Sequence, residues 1–372
     1  MSPLDTSTAA STVGPTESVS TGEIKPLQTN TTPINTLHVN TVGVVAIGRN
    51  EGERLVQCLH SLRTHLPPEV PIVYVDSGST DNSVAEAKRQ NVEVVVLDMS
   101  VPFTAARARS AGCDRLLSKY PDTHAVQFID GDCEVQPGWM NGAVEFLNQN
   151  REFGVVFGRL RECFPEASKY NQLADMEWSV PVGEVKACGG TSLMRMTAYQ
   201  QAGGFNPKLI CGEEPELCIR MRRLGWRIQC IDVDMARHDM KMYKFAPWWK
   251  RSIRGGWAVA QGSAMYGQAP EKYKFKEHIS GWVWGAILPL GAILTAGISH
   301  GVTLLVLFLL YGLQTFKIYQ YRRKRGNTAK QSLVYAVFCV ISKVPQAIGQ
   351  GKYWLNRWRN KPAKLIEYKG NA

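Results

Sequence analysis

The sequence predicts an α/β protein: a mostly parallel, doubly wound sheet followed by a membrane-embedded helical segment. Three observations predict it. Short apolar runs of strand length alternate with stretches of helical spacing between positions 41 and 130. Acidic and polar turns stand at the C-terminal tips of those runs. From Ile279 to Phe316 there is no Asp, Glu, Lys or Arg. Strands buried on both faces read as continuous apolar runs, and helices between them imply parallel neighbours.

The elements follow in order. Thr41–Ile47 is a continuous apolar run, broken by Gly48-Arg49-Asn50-Glu51-Gly52, and Leu55, Leu59 and Leu62 then recur at helical spacing. Ile72–Val75 is a second strand ending in Asp76-Ser77-Gly78-Ser79-Thr80-Asp81, with a helix from about Asn82. Val92–Leu97 is a third strand, Phe103–Lys119 a helix, and Ala125–Ile129 a fourth strand that runs into Asp130-Gly131-Asp132. Ligands of such sheets bind beyond the C-terminal strand ends. Arg49-Asn50-Glu51, Asp76 and Asp130/Asp132 all lie there. The alternation then breaks. A strand at Gly154–Gly158, a helix at Tyr170–Trp178, a strand at Ser192–Arg195 and a helix from Thr197 precede Gly212-Glu213-Glu214-Pro215-Glu216-Leu217, which opens a helix to Leu224. Pro suits a first helical turn, and carboxylates favour a helix N-terminus.

One membrane span needs about 20 apolar residues. The charge-free stretch is split by Gly297-Ile298-Ser299-His300-Gly301, so it reads as two hydrophobic helices, about 279–298 and 301–317. Trp282 and Trp284 suit an interfacial belt, and Arg322-Arg323-Lys324-Arg325 should stay cytosolic. An even number of spans puts the main domain on that same side. A third segment, about 331–350, carries Lys343 and Pro345 and reads as an interfacial amphipathic helix. The chain thus divides into a disordered tail (1–37), a main domain (38–265) and a membrane-associated region (266–372). The tail is rich in Ser and Thr and has no apolar signal-peptide core. The expected location is the cell (inner) membrane, with the main domain cytosolic.

The formal charge of +11 is uneven. From Lys317 onward there are 13 Lys and Arg against one acid, Glu367, leaving 30 basic and 31 acidic residues before it. A nearly neutral body argues against nucleic acid as a partner, while a basic tail suits anionic membrane lipids. The nine Cys are scattered singly with no CxxC pair, which supports neither a zinc ribbon nor a redox motif, and suits reduced buried thiols.

Asp130 and Asp132, one residue apart at a strand tip, can hold a hard cation such as Mg²⁺ or Mn²⁺, which usually takes one or two carboxylates plus substrate phosphates. A solvated Asp-Gly-Asp turn is the plainer alternative for the motif taken alone. Asp76 can accept hydrogen bonds from a base or ribose, and Glu51 has a similar position; each taken alone is also an ordinary turn or cap residue. Glu213 and Glu214 are candidate general bases, or simply first-turn acids. His238 is a third metal or phosphate ligand, or a satisfied core histidine. Arg251 and Arg254 could grip a diphosphate, since Arg pairs bidentately with phosphate, or belong to an aromatic and basic membrane anchor.

As a set, these residues resemble family 2 glycosyltransferases of GT-A fold. Val-Val-Ala-Ile-Gly-Arg-Asn-Glu (44–51) is similar to the family's first strand and Asn-Glu signature, and Val-Asp-Ser-Gly-Ser-Thr-Asp (75–81) to its second-strand motif. Residues 102–112 resemble the helix that often reads Ala-x-Asn-x-Gly. Asp130-Gly131-Asp132 looks like the metal-binding DxD, and Gly212–Leu217 like the segment whose Asp is the base. The likeness covers about 41–260. It implies an inverting transfer from a nucleotide-sugar donor, a UDP-sugar as the first expectation, assisted by Mg²⁺ or Mn²⁺, to a saccharide or lipid-linked acceptor. By position, Glu51 and Asp76 would hold the nucleoside, Asp130 the ribose and metal, Asp132 and His238 the metal, and Glu214 would be the base. Ser77 stands for a second Asp, Ser110 for the helix Asn, and Glu214 for the usual Asp; this last change leaves Glu213 or Glu216 open as the base. Two rivals remain. A nucleotidyltransferase usually needs a glycine- and lysine-rich loop after the first strand, where this chain is acidic. A non-catalytic sugar-nucleotide-binding membrane scaffold would not need Asp130, Asp132 and Glu214 together.

Overall fold

The computed structural model describes residues 36–360 and 367. The tail expected at 1–37 lies outside these, except for its last two residues. Leu37 is buried and exchanges backbone hydrogen bonds with the Asn148 side chain, 2.8 Å each way.

A nine-stranded sheet forms the body, in the order β3-β2-β1-β4-β8-β6-β9-β5, with β7 paired to β9. Four strands are those the apolar runs predict: β1 (Val42–Gly48), β2 (Ile72–Asp76), β3 (Glu93–Val96) and β4 (Ala125–Asp130). They pair in parallel, because helices return the chain between them: α1 (Glu53–His65), α2 (Ser83–Arg89) and α3 (Ala105–Lys119). Beyond β4 the sheet is mixed. β8 (Ser192–Arg195) runs antiparallel to β4 and to β6 (Phe153–Glu162), while β6 is parallel to β9 (Arg227–His238). β5 (Cys133–Val135) and β7 (Gly183–Val185) pair antiparallel with β9. The sequence reading assigned no strand to β5, β7 or β9. In β9 the signal was present, as inward Ile228 and Cys230 alternate with outward Arg227 and half-buried Gln229.

α3 lies directly on β1 and β2. A Cβ at Gly112 would strike Val45, and one at Gly43 would strike Leu116. Both glycines let helix and sheet approach closely, and Leu116 is fully buried by it. Such burial contributes roughly 1.5–3 kcal/mol per side chain. Thr104 caps α3, its hydroxyl accepting from the Arg107 amide at 3.1 Å. α4 (Trp139–Gln149), α6 (Met196–Gln201) and α7 (Glu213–Arg223) complete the body.

Helix α5 (Lys169–Trp178) joins this body to the C-terminal helices. Arg322 and Arg325, at the end of α11 (Val302–Lys324), donate to the carbonyls of Met176 and Ser179 at 3.4 Å each. These carbonyls end α5 and lack helical partners, so cations suit them. α8 (Phe245–Tyr266) crosses α13 (Lys343–Trp358) at glycines. A Cβ at Gly256 would meet the Gln346 backbone, and one at Gly349 the Ile253 carbonyl. α9 (Phe275–Trp282), a π-turn and α10 (Leu288–Thr295) form one continuous rod, and α12 (Ala329–Ile341) runs into α13.

Three helical stretches are long and apolar enough to cross a membrane: Phe275–Thr295, Val302–Lys324 and Ala329–Trp358. The third covers the segment read from sequence as an interfacial amphipathic helix. Leu294, Ile298 and Phe308 are exposed at 78%, 87% and 74%. A helix apolar on all sides needs a lipid or protein environment.

Candidate active site

The tips of β1, β2 and β4, the turn before β8 and the start of α7 meet around one cavity of about 300 Å³. Glu51, Asp130, Glu213, Glu214 and Arg254 line it, together with Arg49, Ser77, Phe103, Arg109 and Gly190. Five of the candidate residues read from sequence are therefore brought together. Asp76, Asp132, His238, Arg251 and Glu216 do not line this cavity.

Arg109 organises the wall. It comes from α3, is 2% exposed, and reaches three carboxylates. Its Nη2 donates to Asp130 Oδ1 at 2.8 Å, and its Nη1 lies 2.8 Å from Glu213 Oε1 and 2.7 Å from Glu214 Oε1. Burial alone would lower the Arg109 pKa, but the Glu214, Asp130 and Glu213 charges outweigh it and hold the guanidinium above its ordinary value. Burial, then the neighbouring Glu213, pushes Glu214 up to about 7, against the pull of Arg109. The sequence reading did not single out Arg109. The signal was an Arg on the inward face of α3, in register with Ala106, Cys113 and Leu116. A charge on a buried helical face demands buried counter-charges.

Gly190 was also passed over as a functional position. A Cβ there would meet the Arg109 guanidinium, Asp130 Oδ2 at 3.1 Å and Glu214 Oε1 at 3.2 Å. Only glycine leaves the three groups room.

The turns after β1 and β2 are tied to each other. Asn50, with φ of 54°, accepts at Oδ1 from the Thr80 amide at 2.7 Å, and its own amide donates to Ser79 Oγ at 2.9 Å. Asp76 is taken up by this turn. It accepts from the amides of Gly78 and Ser79, at 2.9 and 2.8 Å, from Ser79 Oγ at 2.5 Å and from Tyr74 Oη at 3.1 Å. Ser77, the next residue, faces the cavity instead. Glu51 pairs with Arg54 at 2.6 Å.

Asp132, two residues on, is buried beside the cavity, with Arg54, the partner of Glu51, 3.9 Å from its Oδ2. Its Oδ2 is 2.9 Å from His238 Nε2, and the His238 ring stacks on Trp178 with centroids 4.6 Å apart. β5 and β9 pair Cys133 with His238 across the sheet, which fixes the imidazole at this position. Cys133 joins the cluster, with its ligating atom inside the same 4.8 Å group. Burial, with Asp132 and Asp130 nearby, raises its thiol pKa well above the ordinary value. One carboxylate and one imidazole suit a divalent ion of the Mn²⁺ or Mg²⁺ type, with phosphate completing the shell. Asp239, the next residue, keeps a buried Oδ1 with no hydrogen-bond partner, consistent with a site built for further polar contacts.

The remaining candidates are held elsewhere. Glu216 receives Arg220 at 2.9 and 2.7 Å and Tyr266 Oη at 2.8 Å. Arg251 pairs with Glu177 at 2.7 Å in a neighbouring cavity.

Comparison with known proteins bears on this arrangement. The sequence profile described as Glycosyl transferase family 2 matches residues 44–209, from β1 to the loop before α7. The succinoglycan biosynthesis protein ExoA of Rhizobium meliloti is 27% identical over 195 residues, 49% of this chain and 58% of its own. The uncharacterized glycosyltransferase YibD of Escherichia coli is 28% identical over 162 residues, 42% and 44% of the two chains. The chain thus spans only about half the length of these relatives. The mannosyltransferase PcManGT of Pyrobaculum calidifontis, solved with GDP-Man and Mn²⁺, superposes with a TM-score of 0.53 at 16% identity, over 82% of this chain and 86% of that one. That likeness establishes the GT-A fold. Residues 44–209, a little under half of the chain, thus match the profile of family 2 glycosyltransferases within a body of GT-A fold.

Proposed function

We propose that the protein transfers a sugar, with inversion, from a nucleotide-sugar of the UDP-sugar type to a saccharide or lipid-linked acceptor at the cytosolic face of a membrane. One observation carries this reading: a single buried guanidinium gathers Asp130, Glu213 and Glu214 on the wall of one cavity at the strand tips. The cavity receives the donor. Glu51 and Ser77 face its nucleoside, and Arg254 faces its diphosphate. Asp132 and His238 would hold a divalent ion, which, when bound, neutralises charge on the leaving nucleoside diphosphate. The same pairing of nucleotide-sugar and Mn²⁺ in the mannosyltransferase supports that role.

Glu214 takes the acceptor proton. The acceptor oxygen attacks the anomeric carbon, the bond to the diphosphate oxygen breaks with its electron pair leaving on the nucleotide, and the hydroxyl proton passes to Glu214. A carboxylate with a pKa near 7 is matched to that task at neutral pH. Arg109 holds Glu214 and Asp130 in register. Arg322 and Arg325 support the cytosolic placement: they end α11 against α5 of the catalytic body, where basic residues flanking a span are retained. α12 packs on α5 and α13 on α8, which supports the reading of two spans with α12 and α13 at the membrane surface.

The test is Asp132→Ala and Glu214→Gln in the full-length protein. Asp132→Ala should abolish the Mn²⁺-dependent thermal shift given by nucleotide-sugars. Glu214→Gln should keep that shift and lose about 10²–10⁴-fold in transfer rate. An unchanged Mn²⁺ response in Asp132→Ala would remove the metal assignment. Full transfer by Glu214→Gln with an inactive Glu213→Gln would move the base to Glu213.

A further inference from the structure

A second, larger cavity of about 530 Å³ lies between α5, α8 and α12 with the start of α13. Ligand pockets have this scale. Its walls are helical faces. Trp248, Arg251, Ser252, Gly255 and Ala258 form one stripe of α8, at spacings of three and four residues. Tyr335 and Phe338 face them from α12, inside the candidate span Ala329–Trp358. The α12 wall is aromatic, and the α8 wall carries Trp248 together with the two cations Arg251 and Arg254. Arg254 lines both this cavity and the donor cavity that holds Glu214. Cys211, two residues from Glu213, lines it too.

We propose that this cavity seats the acceptor as a lipid-linked molecule, with a hydrocarbon chain against Trp248, Tyr335 and Phe338, a phosphate linker at Arg251, and a sugar reaching past Arg254 to Glu214. Three features commit the occupant to an anionic lipid. Its apolar wall belongs to a helix apolar enough to enter a bilayer. Of its two cations, Arg254 also lines the cavity that holds Glu214. Arg251 is held by Glu177, 40% exposed, an ion pair at the cavity edge that a bidentate phosphate can replace. The placement rests on the glycosyltransferase reading above.

The test uses the full-length protein in nanodiscs and a diazirine-bearing polyprenyl phosphate. A Cβ at Gly255 meets nothing within 4 Å, so Gly255→Trp fills the cavity without a backbone clash. Labelling should map to α8 and α12, be competed by unlabelled polyprenyl phosphate and not by inorganic phosphate, and fall at least about tenfold in Gly255→Trp. Arg251→Gln should weaken it by about fivefold or more, which decides the matter if Gly255→Trp does not fold. Wild-type labelling in the folded variants, labelling confined to α10 and α11, or equal competition by inorganic phosphate would overturn the proposal. Nucleotide-sugar binding with Mn²⁺ is read separately. If it is intact while the cavity fails to label, only the acceptor placement falls. If it is absent while labelling persists, only the donor reading falls.

Discussion

Arg109→Met is the sharpest perturbation available, because one charge balances three. The substitution keeps most of the volume and removes the cation. Asp130, Glu213 and Glu214 then share a wall with no counter-charge from α3. Breaking a buried ion pair from one side costs about 3–5 kcal/mol. For a body of this size, each kcal/mol moves Tm by roughly 2–4 °C, so a loss of about 6–20 °C is expected at pH 8. The sign with pH follows from Glu214, whose pKa rises from an ordinary 4.5 to about 7 on folding, mainly by burial. Between those values the folded protein holds a proton that the unfolded chain releases. Its stabilising contribution is therefore complete below pH 4.5 and is lost as the pH rises through 7. Without Arg109, which pulls that pKa down, the window extends further upward. The Tm deficit of Arg109→Met should therefore grow from pH 5 to pH 8. Thermal unfolding of the detergent-solubilised protein, followed by intrinsic fluorescence at several pH values, measures it. A deficit under about 1 kcal/mol, or one that does not change with pH, would refute the central role given to this residue.

The transfer rate should follow the same group. With the base active when ionised, kcat/KM should rise with pH to a plateau, with its midpoint near 7 and a fall of about tenfold per pH unit below it; a midpoint near 4.5 would place the base elsewhere. Gly190→Ala should press on Arg109, Asp130 and Glu214 and cost at least about tenfold in kcat, with little change in Tm; unimpaired turnover would show that the turn gives way. His238→Gln should weaken Mn²⁺ affinity by about 10–100-fold, measured by titrating the thermal shift, while nucleotide binding without metal is unaffected. Equal Mn²⁺ affinity would leave His238 as a partner of Asp132 only.

The fold was legible in local pattern. Apolar runs such as Thr41–Ile47 and Ala125–Ile129 are buried on both faces and return as β1 and β4. A strand tip is a fixed place in such a sheet, so the acids that follow these runs, Glu51 and Asp130, could be assigned to the cleft from order alone. The charge-free stretch 279–316 likewise declared its apolar helices, since charge is costly in lipid whatever the tertiary arrangement. The partners of those acids could not be read in this way. Arg109 and Glu213 are 104 residues apart and meet because Gly112 and Gly43 let α3 settle onto β1. Asp76 and Ser77 are adjacent, yet the turn consumes the first and leaves the second facing the cavity. Glu213, Glu214 and Glu216 share one helical turn, but Arg220 and Tyr266 draw Glu216 away. Arg251 and Arg254 are three residues apart on α8 and share one cavity, yet only Arg254 also reaches the cavity that holds Glu214. Sequence fixed which groups could do chemistry, because periodicity and turn position are local. Tertiary structure alone decided which of them face each other, because a buried charge takes its role from counter-charges that arrive from distant segments.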